Sequence, residues 1–200
     1  YTSYAEPGRQ ISRYALRENR TAFLLVFAQE EPLAEGCSQK TASAILQEKF
    51  AGAHWSEVDE ILKRLEACND LYFDSVSQIH MPAWSKGRIA LVGDAAYCPS
   101  LLAGEGAGFA LAGAYLLAGE LERAAGDHVV AYRAYEQRFR GFIERKQQSA
   151  AEFASSFTPK TRLGLFVRDL VLKLTAFSPV NDWLMRRFVT DQFELPNYFS

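Results

Sequence analysis

The stretch GRIALVGDAAYCPSLLAGEGAGFALAGAYLLAGEL, Gly87 to Leu121, decides how the rest of the chain reads. It opens with an apolar run, Ile89 to Val92, of the length of a buried strand. The run stops at Gly93-Asp94, passes Pro99 and two close glycines, and enters a segment rich in Ala, Leu and Gly. The pattern is strand, loop, helix, with a carboxylate at the strand tip and glycines at the helix entrance. Asp94 can accept hydrogen bonds from hydroxyls. Gly104 and Gly106 lack a Cβ, so backbone there can approach a flat ligand closely. Free N–H groups at the helix start favour negative charge. The geometry suits a ligand that carries hydroxyls and a polarised ring edge or a phosphate.

These residues resemble the second flavin motif, the "GD" motif, of the class A FAD-dependent aromatic-ring monooxygenases, the para-hydroxybenzoate hydroxylase-like family. The family pattern is roughly GDAAHxxxPxxGxG followed by a small-residue helix. Gly93, Asp94, Ala95, Ala96, Gly104, Gly106 and Leu111 sit in register with it. Two positions depart from it. Tyr97 stands where the family has His, and Leu101 where it has Pro, although Pro99 lies just upstream. The flanking sequence, from LYFDSVSQIHMPAWSKGR to the later amphipathic helices, is similar to the family's second half, particularly its bacterial antibiotic- and aromatic-hydroxylase branch.

The resemblance implies an α/β fold, α+β for a fragment. Part of a substrate-domain sheet would occupy residues 1–82, and the C-terminal part of a Rossmann-like FAD domain residues 83–155. C-terminal helices would follow over 156–200. It implies FAD, held at Gly93, Asp94, Leu101, Gly104, Glu105, Gly106, Ala107 and Gly108. Asp94 would bond the ribityl hydroxyls, and backbone at Glu105 to Gly108 would face the pyrimidine end of the isoalloxazine. NAD(P)H would supply electrons, and one atom of O₂ would pass to a small aromatic or polyketide-like substrate. No side chain stands out as a general base, which fits chemistry carried by the cofactor.

No GxGxxG follows an N-terminal strand, although such a fingerprint cradles the dinucleotide pyrophosphate near the family's start. A whole family member is about twice as long. The expectation is therefore a piece: an expressed fragment, a truncated gene, or one part of a split protein whose N-terminal half is a separate chain.

Composition fits an ordinary folded protein: 200 residues, 48% hydrophobic, 23% charged, net charge −2. That charge argues against a nucleic-acid platform. Cys37, Cys68 and Cys98 are scattered, and with His54, His80 and His128 they share no metal or catalytic spacing. Free thiols in a reducing, cytoplasmic setting are the expectation. The polar, turn-rich start YTSYAEPGRQ does not read as a signal peptide. The uncharged run between Glu105 and Glu120 is shorter than the ~20 apolar residues of a membrane span.

Along the chain, Arg9 to Arg17 reads as an exposed strand, Glu18-Asn19-Arg20 as a turn and Phe23 to Ala28 as a central strand. Pro32 to Gly36 is a loop. Ser38 to Phe50 reads as a helix, and Ser56 starts another with a capping-box pattern to Asp59. Leu71 to His80 is strand-like. Gly126-Asp127 ends the helix of the central stretch and caps a long amphipathic one, Val130 to Phe153. Its stripe is Tyr135, Phe139, Phe142 and Ile143, with Arg133, Glu136, Arg140 and Glu144 toward water. Thr158-Pro159 ends it. Leu163, Phe166, Val167, Leu170, Val171 and Leu174 form a further stripe. After Ser178-Pro179, Val180, Trp183, Leu184 and Phe188 continue it, and the tail from Asp191 is irregular.

Each singled-out residue also has a bland reading. Asp94 alone is a turn or cap residue. Gly113 and Gly119 read as close helix packing, Tyr97 and Cys98 as packing beside the loop. A carboxylate at Glu105 opposes the negative charge of a reduced flavin, so it is expected to point to solvent. The apolar faces at 163–174 and 180–188 read as core, with a homodimer surface as runner-up. For the chain by itself, a non-catalytic folded module that binds flavin weakly or not at all stands beside the monooxygenase reading.

Overall fold

The computed structural model describes residues 1–30, 37–65, 67–68, 70–101, 104–175 and 193–198. The architecture is α/β: a small antiparallel sheet and a two-residue-strand hairpin combined with long helices. The chain divides into two units. One takes Tyr1–Ser75 and, from Ser155, the last described helix; the other takes Val76–Ala154 and the tail residues 193–198.

In the first unit, β1 (Thr2–Glu6), β2 (Arg9–Ala15) and β3 (Thr21–Phe27) form an antiparallel sheet in the order β1-β2-β3. The polar start thus forms a strand, Tyr4 pairing with Ile11. Because β1 covers its free edge, β2 is central rather than exposed, and Gln10, Ile11 and Ser12 are buried. The expected central strand β3 is instead at the edge of the described sheet, with Phe23 40% exposed. The β2–β3 turn follows the expectation: Glu18 and Asn19 take positive φ, 61° and 55°, and Leu16 N–H donates to the Arg20 carbonyl.

Helix α1 (Gln39–Phe50) starts at Ser38, whose hydroxyl accepts from the Thr41 N–H. Helix α2 (Val58–Leu65) starts two residues after Ser56. Ile11, Leu46, Phe50, Val58, Ile61 and Leu65 form one core, so the helical stripes and the inward face of β2 meet as their periodicity requires. The loop expected at Pro32 to Gly36 lies outside the described residues.

Leu71 to His80, which runs from the first unit into the second, is irregular and not a strand. Its polar groups are taken up locally instead of by a ladder. Gln78 Nε2 donates to the carbonyls of Pro99 (2.8 Å) and Gln147 (2.7 Å), and Ile79 N–H donates to that of Cys98 (3.1 Å). The Ile89–Val92 run pairs over only two residues. β4 (Ser85–Lys86) and β5 (Ile89–Ala90) make a hairpin, and Ile89 is 70% exposed. Beyond it come α3 (Asp94–Tyr97), α4 (Gly106–Arg123) and α5 (His128–Phe157). Gly126 (φ 84°) ends α4, and Asp127 Oδ1 accepts from Val129 and Val130 N–H, as the Gly-Asp pair implied.

The core of this unit is aromatic. Trp84, Tyr97, Phe109, Leu116, Tyr135, Phe139, Phe142 and Ile143 are buried, and Phe193 and Tyr198 of the tail pack against them. Two residues assigned to water are not free. Glu136 Oε2 accepts from Trp84 N–H, and Arg140 lies 4.8 Å over the Trp84 ring while donating to the Met81 and Pro82 carbonyls. α5 thus uses its polar flank to hold the segment that leads into β4.

Helix α6 (Arg162–Thr175), in the first unit, corrects another expectation. Leu163, Phe166, Val167, Leu170, Val171 and Leu174 are 45–72% exposed, so the stripe is not core within the described residues. The stripe expected at 180–188 and the cap at Ser178-Pro179 lie outside them. Among the described residues, no helix is long and apolar enough to cross a membrane.

Glu6 gives the first unit a pH dependence. Partial burial pushes its carboxyl upward. Hydrogen bonds from the His54 N–H and ring, Tyr4 and Arg9 outweigh that and bring it down from 4.5 to about 2. A folded-state value below the unfolded one stabilises the fold above pH 4.5 and loses that contribution as pH falls toward about 2. Glu6→Gln is expected to flatten the decline of the urea midpoint across that window. An unchanged slope would show that the cluster contributes nothing to folding.

Candidate functional site

The candidate site is built where β5 gives way to α3 and α4. Gly93 takes φ 69°, ψ −144°, a backbone state that a side chain disfavours. A Cβ there would also lie 3.1 Å from the Ala110 Cβ. Glycine at this point lets the chain turn sharply while it lies against α4. The turn puts Asp94 in the first turn of α3, exposed, with Oδ1 3.4 Å from where a Cβ on Gly106 would sit. The strand-tip acid and the helix entrance, which the sequence separates by a loop, are therefore neighbours.

The rest of the motif faces outward. Leu101 is 69% exposed and Leu111 74% exposed. Gly104 (φ 68°) and Gly108 have open space where a Cβ would go, and Ala107 is exposed. Gly93 is the buried member of the set, and Glu105 and Gly106 are half-buried. Asp94, Gly104, Gly106, Ala107 and Gly108 thus line an open strip of acid and bare backbone at the start of an 18-residue helix. Positive partial charge concentrates at that helix end. A flat group carrying hydroxyls on one side and a polarised edge on the other fits it: the acid accepts from hydroxyls, and the cradle would be filled by any side chain larger than hydrogen.

Other predicted roles resolve differently. Gly113 and Gly119 are packing positions, as expected. A Cβ on Gly113 would lie 1.9 Å from the Tyr97 hydroxyl, and one on Gly119 2.2 Å from the Tyr198 ring. Tyr97 is buried, and its hydroxyl donates to the Phe109 carbonyl at 3.4 Å. The Tyr135 hydroxyl lies 3.3 Å from that of Tyr97. Burial raises both phenols above their usual value, Tyr135 strongly. The tyrosine in the family's histidine position is therefore a neutral strut between α3, α4 and α5.

Glu105 does not simply point to solvent. Its Oε2 lies 3.3 Å from Lys146 Nζ of α5, and the lysine's side chain is only 17% exposed. The ammonium also sits 5.9 Å over the Phe109 ring and 5.8 Å over Phe142. Lys146 was missed by sequence reasoning. Its one available signal was its place one turn after Phe142, at the border of the α5 stripe. Also missed was the cluster fastening the tail: Glu120 Oε1 accepts from the Tyr198 hydroxyl (2.6 Å) and Arg138 Nε (3.0 Å). Burial and the Glu120 carboxylate push the Tyr198 phenol up to about 12.

A cavity of about 240 Å³ lies elsewhere in this unit, lined chiefly by Met81, Trp84, Tyr97, Arg140 and Gln147, and no predicted cofactor residue borders it. Its polar lining is already engaged in the protein's own bonds. The exposed motif residues lie on the open strip and not in this cavity. The three cysteines are free thiols, partly buried.

Comparison with known proteins agrees with the motif. No protein-family model matches the chain. It is 38% identical over 174 residues to a flavin-dependent monooxygenase of an unknown prokaryotic organism, covering 86% of this chain and 43% of that protein. It is 36% identical over 176 residues to a flavin-dependent monooxygenase of Legionella longbeachae, covering 88% and 43%. Among solved structures, the tetracycline destructases Tet(51) and Tet(55) superpose with TM-scores of 0.77 and 0.78 at 30% identity. They cover 98% and 97% of this chain and 50% and 49% of theirs. Over most of its length the chain is similar in sequence to part of the flavin-dependent monooxygenases, and in fold to half of a tetracycline destructase. It spans just under half the length of the curated relatives it matches.

The packing around Tyr97 gives a direct test. Gly113→Ala is expected to cost about 1–3 kcal/mol by overpacking a filled core. A thermal-melting temperature equal to that of the parent would show that Tyr97 yields freely.

Proposed function

We propose that this chain supplies the isoalloxazine- and ribityl-binding part of an FAD-dependent monooxygenase. The observation that supports the reading is the open strip at the α4 entrance, where Asp94 Oδ1 stands against Gly106 and the positions beyond it are bare. In this reading Asp94 accepts hydrogen bonds from ribityl hydroxyls. The N–H groups from Glu105 to Gly108 lie along the pyrimidine edge, and Leu101 borders the ring. The helix end favours the negative charge that ring takes up on reduction.

FAD, when bound, supplies the redox and oxygen-transfer chemistry, with NAD(P)H as donor. The chain's own residues bind the cofactor, orient it and keep charge of the right sign beside it. The substrate is an aromatic or polyketide-like ring. The two tetracycline destructases, alike over nearly the whole chain, favour a polycyclic ring of the tetracycline kind. A second reading is kept because the chain matches under half of each curated relative. Taken alone, it is a non-catalytic module that gains flavin only with a separate N-terminal polypeptide. A homodimer joined through the exposed α6 stripe is a further arrangement compatible with either reading.

Flavin absorbance and fluorescence quenching decide between these. The 200-residue chain is expected to bind FAD weakly by itself and firmly when the pyrophosphate-binding half is supplied. In a full-length protein carrying this chain, Asp94→Ala should leave the fold intact. It should weaken FAD binding by about 0.5–1.5 kcal/mol, more if the charged acceptor is fully engaged. Gly108→Ala separates cofactor contact from folding. With open space around it, alanine there should stabilise the apo protein by up to ~1 kcal/mol while weakening FAD binding. If both variants hold FAD as firmly as the parent, the strip is not the flavin site.

A further inference from the structure

Glu105 puts a negative charge at the end of α4 where the proposed function requires that negative charge be welcomed. The structure contains an answer on another element. Lys146, one turn beyond Phe142 on α5, is largely buried, and its Nζ lies 3.3 Å from Glu105 Oε2. Its ammonium also lies 5.9 Å over the Phe109 ring and 5.8 Å over the Phe142 ring, within reach of both aromatic faces. Glu105 is the N-cap residue of α4, yet its side chain makes no cap hydrogen bond to the helix. Its carboxylate engages the lysine instead.

We propose that Lys146 is a positioning residue that neutralises Glu105, and so keeps the α4 entrance able to stabilise the negative charge of a reduced flavin. The proposal rests on the flavin reading of the strip. Two charges of opposite sign at this separation, partly withdrawn from water, interact more strongly than an exposed pair and are screened less by salt. With both present, the α4 end keeps its own positive partial charge. With the lysine removed, the carboxylate opposes it. With the carboxylate removed, the ammonium adds to it.

The test is the midpoint potential of FAD bound to a full-length protein carrying this chain, read together with its FAD dissociation constant. Lys146→Met should shift the oxidised-to-reduced ratio at fixed potential about tenfold toward oxidised, a lowering of ~30 mV for a two-electron couple. Glu105→Gln should shift it the opposite way, and the double variant should return to the parent's value within a factor of about two, since each change removes what the other leaves uncompensated. Lys146→Arg, which keeps the charge, should stay near the parent and serves where the methionine variant folds poorly. Loss of helix content or of melting temperature without a shift in potential would mean the pair is only structural, and would overturn the proposal. Shifts of the same sign, or ones that fail to cancel in the double variant, would overturn it too. Failure of the parent to bind FAD would overturn the flavin reading itself and this inference with it.

Discussion

The second unit depends on one close approach, that of the Gly93 backbone to Ala110. The glycine takes a φ of 69°, and a side chain at this point would press on the helix at 3.1 Å. Its bare backbone lets the chain leave the β4–β5 hairpin, turn through α3 and return along α4. That turn sets Asp94 beside Gly106. The juxtaposition thus uses backbone freedom at one residue, and the helix end adds its electrostatics.

Behind that turn, polar and aromatic groups fix what the glycine allows. Gln78 bonds the Pro99 carbonyl and Gln147 the Cys98 carbonyl, just beyond the end of α3. Tyr97 fills the notch left by Gly113 and reaches the Phe109 carbonyl. Arg140 covers Trp84 and bonds the chain just before β4. These contacts engage residues other than those of the strip, most of which stay exposed. Loops that carry function are commonly supported in this way by a rigid scaffold.

Much of this was legible. Helix periodicity placed α1 and α5, the small-residue run placed α4, Asn19 marked the β2–β3 turn and Gly126-Asp127 the end of α4, and the motif spacing named Asp94 and Gly106, which the structure brings together. Strand roles were less legible. A run such as Phe23 to Ala28 is apolar whether it is central or at an edge, because periodicity reports burial of a face and says nothing about which neighbour fills each side. Leu71 to His80 has the composition of a strand, yet Ile79 bonds the Cys98 carbonyl and the Gln147 side chain in place of a ladder, and composition cannot show that. The α6 stripe was legible as apolar but not as uncovered, since what covers a stripe is a property of other segments.

The amino-acid order by itself carried the family resemblance: the acid after an apolar run, glycines at a fixed distance and a small-residue helix, all local features. Tertiary structure decided which charges count. Glu105 and Lys146 are 41 residues apart, and so are invisible to any local pattern, yet the packing of α4 on α5 puts them in contact. Glu120 and Tyr198, 78 residues apart, meet in the same way. Coulomb energy depends on distance in space and on the water between the charges, and folding sets both.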